Sequence, residues 1–396
     1  MFRRIDLLLL GITVVLTFFG LAMIASVSVF ESYQLTQHLT DIGQLAGPSN
    51  SFYLWRSFQH VIVGALVMLL TVITPYRFWE RHARTLFFLT IALIIALFVP
   101  GLRGEWGTSN SWLRVGSFSL QPSELLKLTF IFYLSVWLQK REQLISTWKE
   151  GFVPFASLLV LSTFLVAIQP DLGSFLILSG IAAVMFFVAG GNLLHLLLGA
   201  LSAGIFGLPL ILHKTYIRNR FTAFISPTDP SIAETIGFQI KQALIAIGSG
   251  GMFGVGYGKS IQKFGYLPEV QADMVFSAMA EELGFFRLLI VIAMYALLVY
   301  RGFRIAQQAP DRFGFLLATG ISSWIAIQTL VNIAVNVSLF PLTGLTLPFI
   351  SYGGSSLISL LAAIGILLNI SMHSTEAAHE ARRSGRHRGL LKGMVS

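Results

Sequence analysis

The chain has 396 residues, 55% of them hydrophobic and only 11% charged, with a mean hydropathy of +0.75. A soluble domain carries about 25% charged residues, so the composition excludes an ordinary water-soluble enzyme and points to a polytopic membrane protein. The formal net charge of +9 is spread over separate loops, which excludes a pooled basic face for nucleic acid.

Apolar runs near the length a bilayer demands fall at about 5–29, 58–75, 85–100, 121–139, 152–168, 172–190, 193–212, 274–299, 314–338 and 349–371. They predict an all-α polytopic fold of about ten transmembrane helices, with a large extracytoplasmic loop (about 213–273) between the seventh and eighth. The membrane domain spans 1–372 and a basic cytoplasmic tail 373–396. A closed barrel would show short alternating segments instead. The first run is too long for a signal peptide and lacks a small-residue cleavage site, so it reads as a signal anchor.

Basic residues cluster in alternate loops: Arg3 and Arg4; Arg77, Arg81 and Arg84; Lys140, Arg141 and Lys149; Arg301, Arg304 and Arg312; then the tail from Arg382 to Lys392. The positive-inside rule places both termini in the cytoplasm, as an even number of spans requires. There is no cysteine, so no disulfide contributes to the fold.

Asp6, at the mouth of the first helix, reads as a residue satisfied by that helix's N-terminus. The segment from about Glu31 to Trp55 reads as a polar outer loop with Gly47-Pro48-Ser49-Asn50 as turn chemistry. In the second outer loop, GLRGEWGTSNSWLRVGSFSLQ, Arg103 and Arg114 face outward against the positive-inside trend. A phosphate or other anion on that side explains them, because guanidinium grips phosphate with paired donors. In QPSELLK, Pro122 sits where a helix can start. Glu124 and Lys127 share one helical face and can pair. Buried in an apolar run, they read as an ion pair, a polar substrate cavity, or both. Asp171 in QPDLGS either caps the next helix or lines the same cavity.

The loop of about sixty residues from His213 to Gln271 exceeds an ordinary connector. It opens with the basic cluster Lys214, Arg218 and Arg220, turns at Ser226-Pro227-Thr228-Asp229-Pro230, and continues into a short helix at 238–247 that a glycine run ends. The stretch Gly248 to Gly284 then gathers glycines, Lys259, Lys263, Glu269, Asp273 and the Glu281/Glu282 pair where the chain re-enters the membrane. Intramembrane carboxylates are costly and mark function by default. Arg287, deep in the next span, is expected to face protein or a cavity. Asn332 and Asn336 share a helical face and read as helix–helix glue. PLTGLTLPFISYGGSS, with Ser351, starts another helix behind a glycine break.

These motifs together resemble the SEDS family, the FtsW and RodA peptidoglycan polymerases. The resemblance rests on QPSELLK, QPDLGS, IAIGSGGMFGVGYGKSIQKFGYLPE, the D..FS.MAEELGF stretch and GLTLPFISYGGSS, all in order. The SIQK…YLPE and GLTLPFISYGGSS wording is closer to the division-type FtsW. The resemblance implies polymerisation of lipid II, the undecaprenyl-pyrophosphate-linked precursor, at the outer face of the bacterial cytoplasmic (inner) membrane. It places the essential carboxylate on Asp273 as general base, with Glu124, Lys127 and Asp171 at the substrate. Lys263 and Ser351 join Arg103, Arg114, Lys214, Arg218 and Arg220 as further substrate-binding candidates. It also implies a class B penicillin-binding protein as the transpeptidase partner, among other division or elongation machinery. No cofactor is certain; the chemistry admits a divalent cation, Mg2+ or Mn2+, held partly by Asp273, and no His or Cys set marks a structural metal. Three positions depart from the pattern: Ala272-Asp273-Met274-Val275-Phe276 replaces Thr-Asp-Phe-Ile-Phe, Arg287 replaces a small residue, and Ser111 stands where an arginine is common before Trp112. A lipid II flippase and a non-catalytic scaffold remain the competing readings.

Overall fold

The computed structural model describes residues 5–99, 112–115, 118–169, 171–207 and 214–393, with side chains described only as far as Ser374 in the last helix. The described residues are mostly helical. α1 (Leu7–Val27) runs almost directly into α2 (Val29–Asp41), followed by α3 (Phe52–Ile73) and α4 (Tyr76–Ala96). A short antiparallel hairpin, β1 (Leu113–Val115) and β2 (Phe118–Leu120), leads into α5 (Pro122–Lys140). Then come α6 (Val153–Ile168), α7 (Leu172–Val188), α8 (Leu193–Ser202), α9 (Thr215–Ile225), α10 (Ile236–Gly250), α11 (Val275–Gln307), α12 (Arg312–Asn336) and α13 (Gly354–Gly393).

Six helical segments among the described residues are long and apolar enough to cross a membrane: Leu7–Val27, Phe52–Ile73, Trp148–Ile168, Val275–Gln307, Arg312–Asn336 and Gly354–Ser374. Two shorter apolar helices, Leu172–Val188 and Leu193–Ile205, accompany them. The surface is apolar and the interior carries charge: Leu66, Leu70 and Val160 are 57–64% exposed, whereas Lys127 and Glu282 are fully buried. That inversion suits hydrocarbon as the solvent, where buried polar groups must find partners within the protein. α12 and α13 form the centre, with α3 packed along α13, and α11, α7 and α5 packed along α12.

The helix ends sort into two faces. At one, Asp6 caps α1 through the Leu9 amide and pairs with Arg301 from the end of α11. There too, Asp311 caps α12 and accepts from the Tyr76 hydroxyl and Arg77, and Asn369 of α13 accepts from the Tyr76 amide. The opposite face gathers the starts of α5, α7, α11 and α13 and the end of α12.

Several elements depart from the sequence reading. The segment read as a polar outer loop after Glu31 contains α2. Thr36 Oγ1 accepts from the Ser49 amide at 2.7 Å and so folds the Gly47–Asn50 turn back onto that helix. The third apolar run belongs to a helix beginning at Tyr76, so Arg77, Arg81 and Arg84 lie on its first turns. The short helix expected at 238–247 is α10, ended as anticipated by Gly251 at φ 51°.

Candidate active site

The site is organised on the turn that delivers Asp273 to the start of α11. Glu269 carries φ 53°, a left-handed conformation that costs a non-glycine residue about 1–3 kcal/mol. Its carbonyl accepts from the amides of Ala272 (2.9 Å) and Met274 (3.3 Å), and the Gln271 carbonyl accepts from the Tyr352 amide at 2.8 Å. The Asp273 carbonyl accepts from Asn332 Nδ2 at 3.0 Å and Asn336 Nδ2 at 2.9 Å. Asn336 Oδ1 in turn accepts from the Ser277 amide and hydroxyl at 3.1 and 2.8 Å. Two amides one helical turn apart on α12 thus clamp the backbone of Asp273, the carboxylate singled out in the sequence.

That side chain is 9% exposed, and its Oδ1 has no hydrogen-bond partner within the protein. Burial and the negative charge of Glu269 push its carboxyl up to about 7, with the Arg220 guanidinium opposing them. A base near the working pH is what proton abstraction requires. Arg220, on α9, donates to the Leu342 carbonyl at 2.8 Å and lies over the Tyr216 ring at 4.2 Å. It faces both Asp273 and Asp171; burial lowers its basicity while Tyr216 and the two carboxylates sustain it.

A second buried polar group lies at the start of α5. Lys127 Nζ donates to Glu124 Oε1 at 2.7 Å and to Gln328 Oε1 at 3.3 Å. Gln328 also accepts from Trp324 Nε1 and donates to the Thr346 carbonyl, so the ammonium is well satisfied. Glu124 Oε2, however, is buried without a partner. Asp171 realises both of its alternatives: Oδ1 caps α7 through the Ser174 amide at 2.9 Å, and Oδ2 accepts from Ser123 at 3.0 Å. Ser351 Oγ accepts from the Leu347 amide at 2.8 Å, and Ser355 Oγ accepts from the Gln121 amide at 3.0 Å. These bonds tie QPSELLK, QPDLGS and GLTLPFISYGGSS together at one end of the bundle.

Farther along α11, the glycine loop splices into the helix. Gly284 breaks it at φ 73°, ψ 175°. Val255 and Gly256 donate to the Glu281 and Glu282 carbonyls (2.9 and 3.1 Å), while Phe285 and Phe286 donate to the Gly251 and Met252 carbonyls (2.9 and 3.2 Å). The backbones touch so closely that a Cβ on Gly284 would lie 2.1 Å from the Gly254 nitrogen. The carboxylates of Glu281 and Glu282 hold the following loop. Glu281 accepts from the Ser260 hydroxyl and the Ile261 amide, and Glu282 from Ser26 and Lys263 (3.1 Å).

Asp273, Asp171, Glu124, Lys127, Arg220 and Ser351 therefore share one end of the molecule. Lys263 does not point into open space; its ammonium is engaged by Glu282, Ser26 and the Gly258 carbonyl. Lys214, at the N-cap of α9, and Arg218 within that helix are exposed. Arg103 lies outside the described residues, as does the side chain of Arg114, whose backbone pairs with Ser119 in the hairpin. Arg287, expected to face the interior, is exposed and donates to the Phe253 carbonyl at 2.8 Å, because the Gly284 break redirects the helix face. Sequence reasoning missed the Asn332/Asn336 clamp and the coupling of Glu269 to Asp273. Their one visible signal was an amide pair four residues apart and a carboxylate four residues before the aspartate.

Comparisons with known proteins identify the family to which this fold belongs. The family model described as cell cycle protein FtsW/RodA/SpoVE matches residues 6–376. The Stage V sporulation protein E of Bacillus subtilis (strain 168) is 38% identical over 372 residues, covering 93% of this chain and 97% of its own length. A protein of Trichlorobacter lovleyi named "Probable peptidoglycan glycosyltransferase FtsW" is 39% identical over 367 residues, covering 92% and 93%. Among solved structures, a chain from work described as "Structural coordination of polymerization and crosslinking by a peptidoglycan synthase complex" matches with TM-score 0.75 and 25% identity, covering 94% of this chain and 99% of that one. The Rod shape determining protein RodA of Thermus thermophilus matches with TM-score 0.66 and 26% identity, covering 93% and 97%. With one family model matched along nearly its whole length, the chain belongs to the FtsW/RodA/SpoVE family.

Proposed function

We propose that the chain is a peptidoglycan glycosyltransferase that polymerises lipid II into glycan strands, with Asp273 as general base. The observation that carries this reading is a buried aspartate, its backbone clamped by two asparagines and one carboxylate oxygen left without a partner. It occurs in a chain akin to proteins named peptidoglycan glycosyltransferases.

Asp273 accepts the proton of the acceptor sugar's 4-hydroxyl as that oxygen attacks the anomeric carbon of the donor chain, and lipid pyrophosphate leaves with inversion. Charge grows on the leaving group, so Arg220 at the rim and Lys127 below it are the cations available to steady it. Among the described residues no three acidic or imidazole groups converge on a protein-only metal site. Mg2+ is commonly held by one or two carboxylates plus substrate phosphates, and the unpartnered oxygen of Asp273 suits one such position. The site opens on the outer face of a bacterial cytoplasmic membrane crossed about ten times, with both termini inside; the alternating basic loops support that orientation. A class B penicillin-binding protein supplies crosslinking, a partner suggested by the synthase-complex likeness. The relatives it resembles are named for glycosyl transfer, so flipping is not favoured.

The test is polymer formation from purified lipid II in reconstituted vesicles, with and without the crosslinking partner. Wild-type strands and none from a folded Asp273→Ala variant support the assignment. Equal polymer from both removes Asp273 as the base. Transbilayer movement of labelled lipid II with no polymer favours the flippase.

A further inference from the structure

A lysine that steadies a leaving group must have its ammonium held still, yet Nζ rides on a flexible four-carbon stem with three rotatable donors. Glu124, three residues before Lys127 on α5, accepts from Nζ at 2.7 Å and draws it back along its own helix. The opposing contacts come from α12. Gln328 Oε1 accepts from Nζ at 3.3 Å, and the ammonium stands over the Trp324 ring, 5.4 Å from its centroid. Gln328 is fully buried, and each of its hydrogen-bonding positions is filled. Oε1 also accepts from Trp324 Nε1 at 2.7 Å, while Nε2 donates to the Thr346 carbonyl at 3.0 Å and to its Oγ1 at 3.4 Å. This carboxamide has one permitted orientation, because Lys127 and Trp324 only donate and the Thr346 carbonyl only accepts.

The same face of α12 continues the pattern. Gln328, Asn332 and Asn336 follow one another at four-residue steps, about 6 Å each along the axis, and all three are 0–1% exposed. Gln328 holds the Thr346 carbonyl; Asn332 holds the adjacent Leu345 carbonyl at 2.6 Å and the Asp273 carbonyl at 3.0 Å. Thr346 Oγ1 donates onward to Ser356 Oγ at 3.2 Å. One helix face therefore sets the Lys127 ammonium, the 345–346 backbone and the Asp273 turn in a common register.

We propose that Gln328 is a positioning residue for the glycosyl transfer: it shares the Lys127 ammonium with Glu124 and holds it for the leaving pyrophosphate. Its distance from Asp273 is then set by consecutive turns of α12. This rests on the reading of Lys127 as a cation at the leaving group. No bond to Gln328 is made or broken in the reaction. Glu124 Oε2 is buried without a partner, so without Gln328 the ammonium closes onto both carboxylate oxygens. Its charge is then neutralised by Glu124 at the moment when the departing pyrophosphate needs it.

The experiment uses the full chain reconstituted with its crosslinking partner. It compares Gln328→Met, Gln328→Asn, Lys127→Met and the two double variants. Asparagine keeps the carboxamide but is one methylene shorter, so it gives up reach with the least disturbance to folding. Two quantities are read per folded molecule: strand synthesis from lipid II, and the Kd for undecaprenyl pyrophosphate, which stays measurable in inactive variants. The expected result for Gln328→Met is a fall in kcat of about tenfold to a hundredfold, with KM for lipid II within about twofold. Undecaprenyl pyrophosphate binds about threefold to tenfold more weakly, and Gln328→Asn shows both losses in smaller measure. In the Lys127→Met background neither Gln328 change weakens this binding further. Wild-type rates and binding in both single Gln328 variants overturn the proposal. So does a binding loss that recurs in full on top of Lys127→Met, since it marks a role confined to the 345–346 backbone. If the methionine variant does not fold, the asparagine cycle decides alone. A Lys127→Met variant that binds undecaprenyl pyrophosphate and polymerises as wild type does instead overturns the reading of Lys127 on which the proposal depends.

Discussion

The chain buries carboxylates in two neighbouring regions, and they are treated in opposite ways. At the glycine splice, Glu281 and Glu282 are 2% and 0% exposed, and hydroxyls, amides and the Lys263 ammonium fill their coordination. Eight residues before Glu281, Asp273 is nearly as buried, but its Oδ1 has no partner while two asparagines hold its backbone. Burial with saturation makes a structural strut. Burial with an unpartnered oxygen and a fixed backbone suits the proposed base, whose missing hydrogen bond the substrate would supply.

Substitutions can break this contrast. The largest effect is expected for Asp273→Ala, which should lower polymerisation by about 10²- to 10⁴-fold without lowering the melting temperature. Steady-state strand synthesis and thermal unfolding in the same detergent check both halves. Next, Glu282→Ala or Lys263→Ala strands one member of a buried ion pair and should destabilise by about 3–5 kcal/mol. The folded remainder should keep its specific activity. If those variants unfold no more readily than wild type, the strut reading fails.

The pH dependence sharpens the contrast. The folded carboxyl of Asp273 lies at about 7, above its ordinary 3.8, so the folded state binds this proton more tightly than the unfolded state does. Its contribution to stability is therefore full below about pH 4 and is lost as pH rises through about 7. Activity is expected to run the other way, falling as pH drops through about 7, because only the carboxylate form of the proposed base accepts a proton. Asp273→Asn should remove the stability penalty at pH 8, a gain of at most about 4 kcal/mol at about 1.4 kcal/mol per pKa unit. Unfolding curves at pH 5 and pH 8 would show it as a pH-dependent difference from wild type. The smallest effect is expected for Arg287→Ala, within about 1 kcal/mol, since an exposed guanidinium loses little more than one hydrogen bond to Phe253.

Charges inside apolar runs made much of this legible in the sequence. Asp273, Glu124, Lys127 and Asp171 stand out because hydrocarbon makes each of them expensive, and the structure gathers them at one end. The Asn332/Asn336 clamp was legible only as helix glue, since an amide pair's periodicity fixes its face and not its partner. Lys263 read as a substrate contact because a pair nineteen residues apart, closed by an irregular loop, leaves no spacing signal. The helix α2 was hidden for another reason: SYQLTQHLTD has no apolar stripe, and what fixes it is its continuity with α1 and the Thr36 contact to Ser49. The Gly284 break showed as one glycine among many, because its cause is the close approach of Gly254, thirty residues away.

The most direct test sets the two regions side by side: strand synthesis from lipid II per folded molecule, for Asp273→Asn and for Glu281→Gln. The account predicts no polymer from the folded asparagine variant and near wild-type polymer from the folded glutamine variant. Polymer from Asp273→Asn at the wild-type rate, or its loss in a fully folded Glu281→Gln, would contradict the distinction between base and strut.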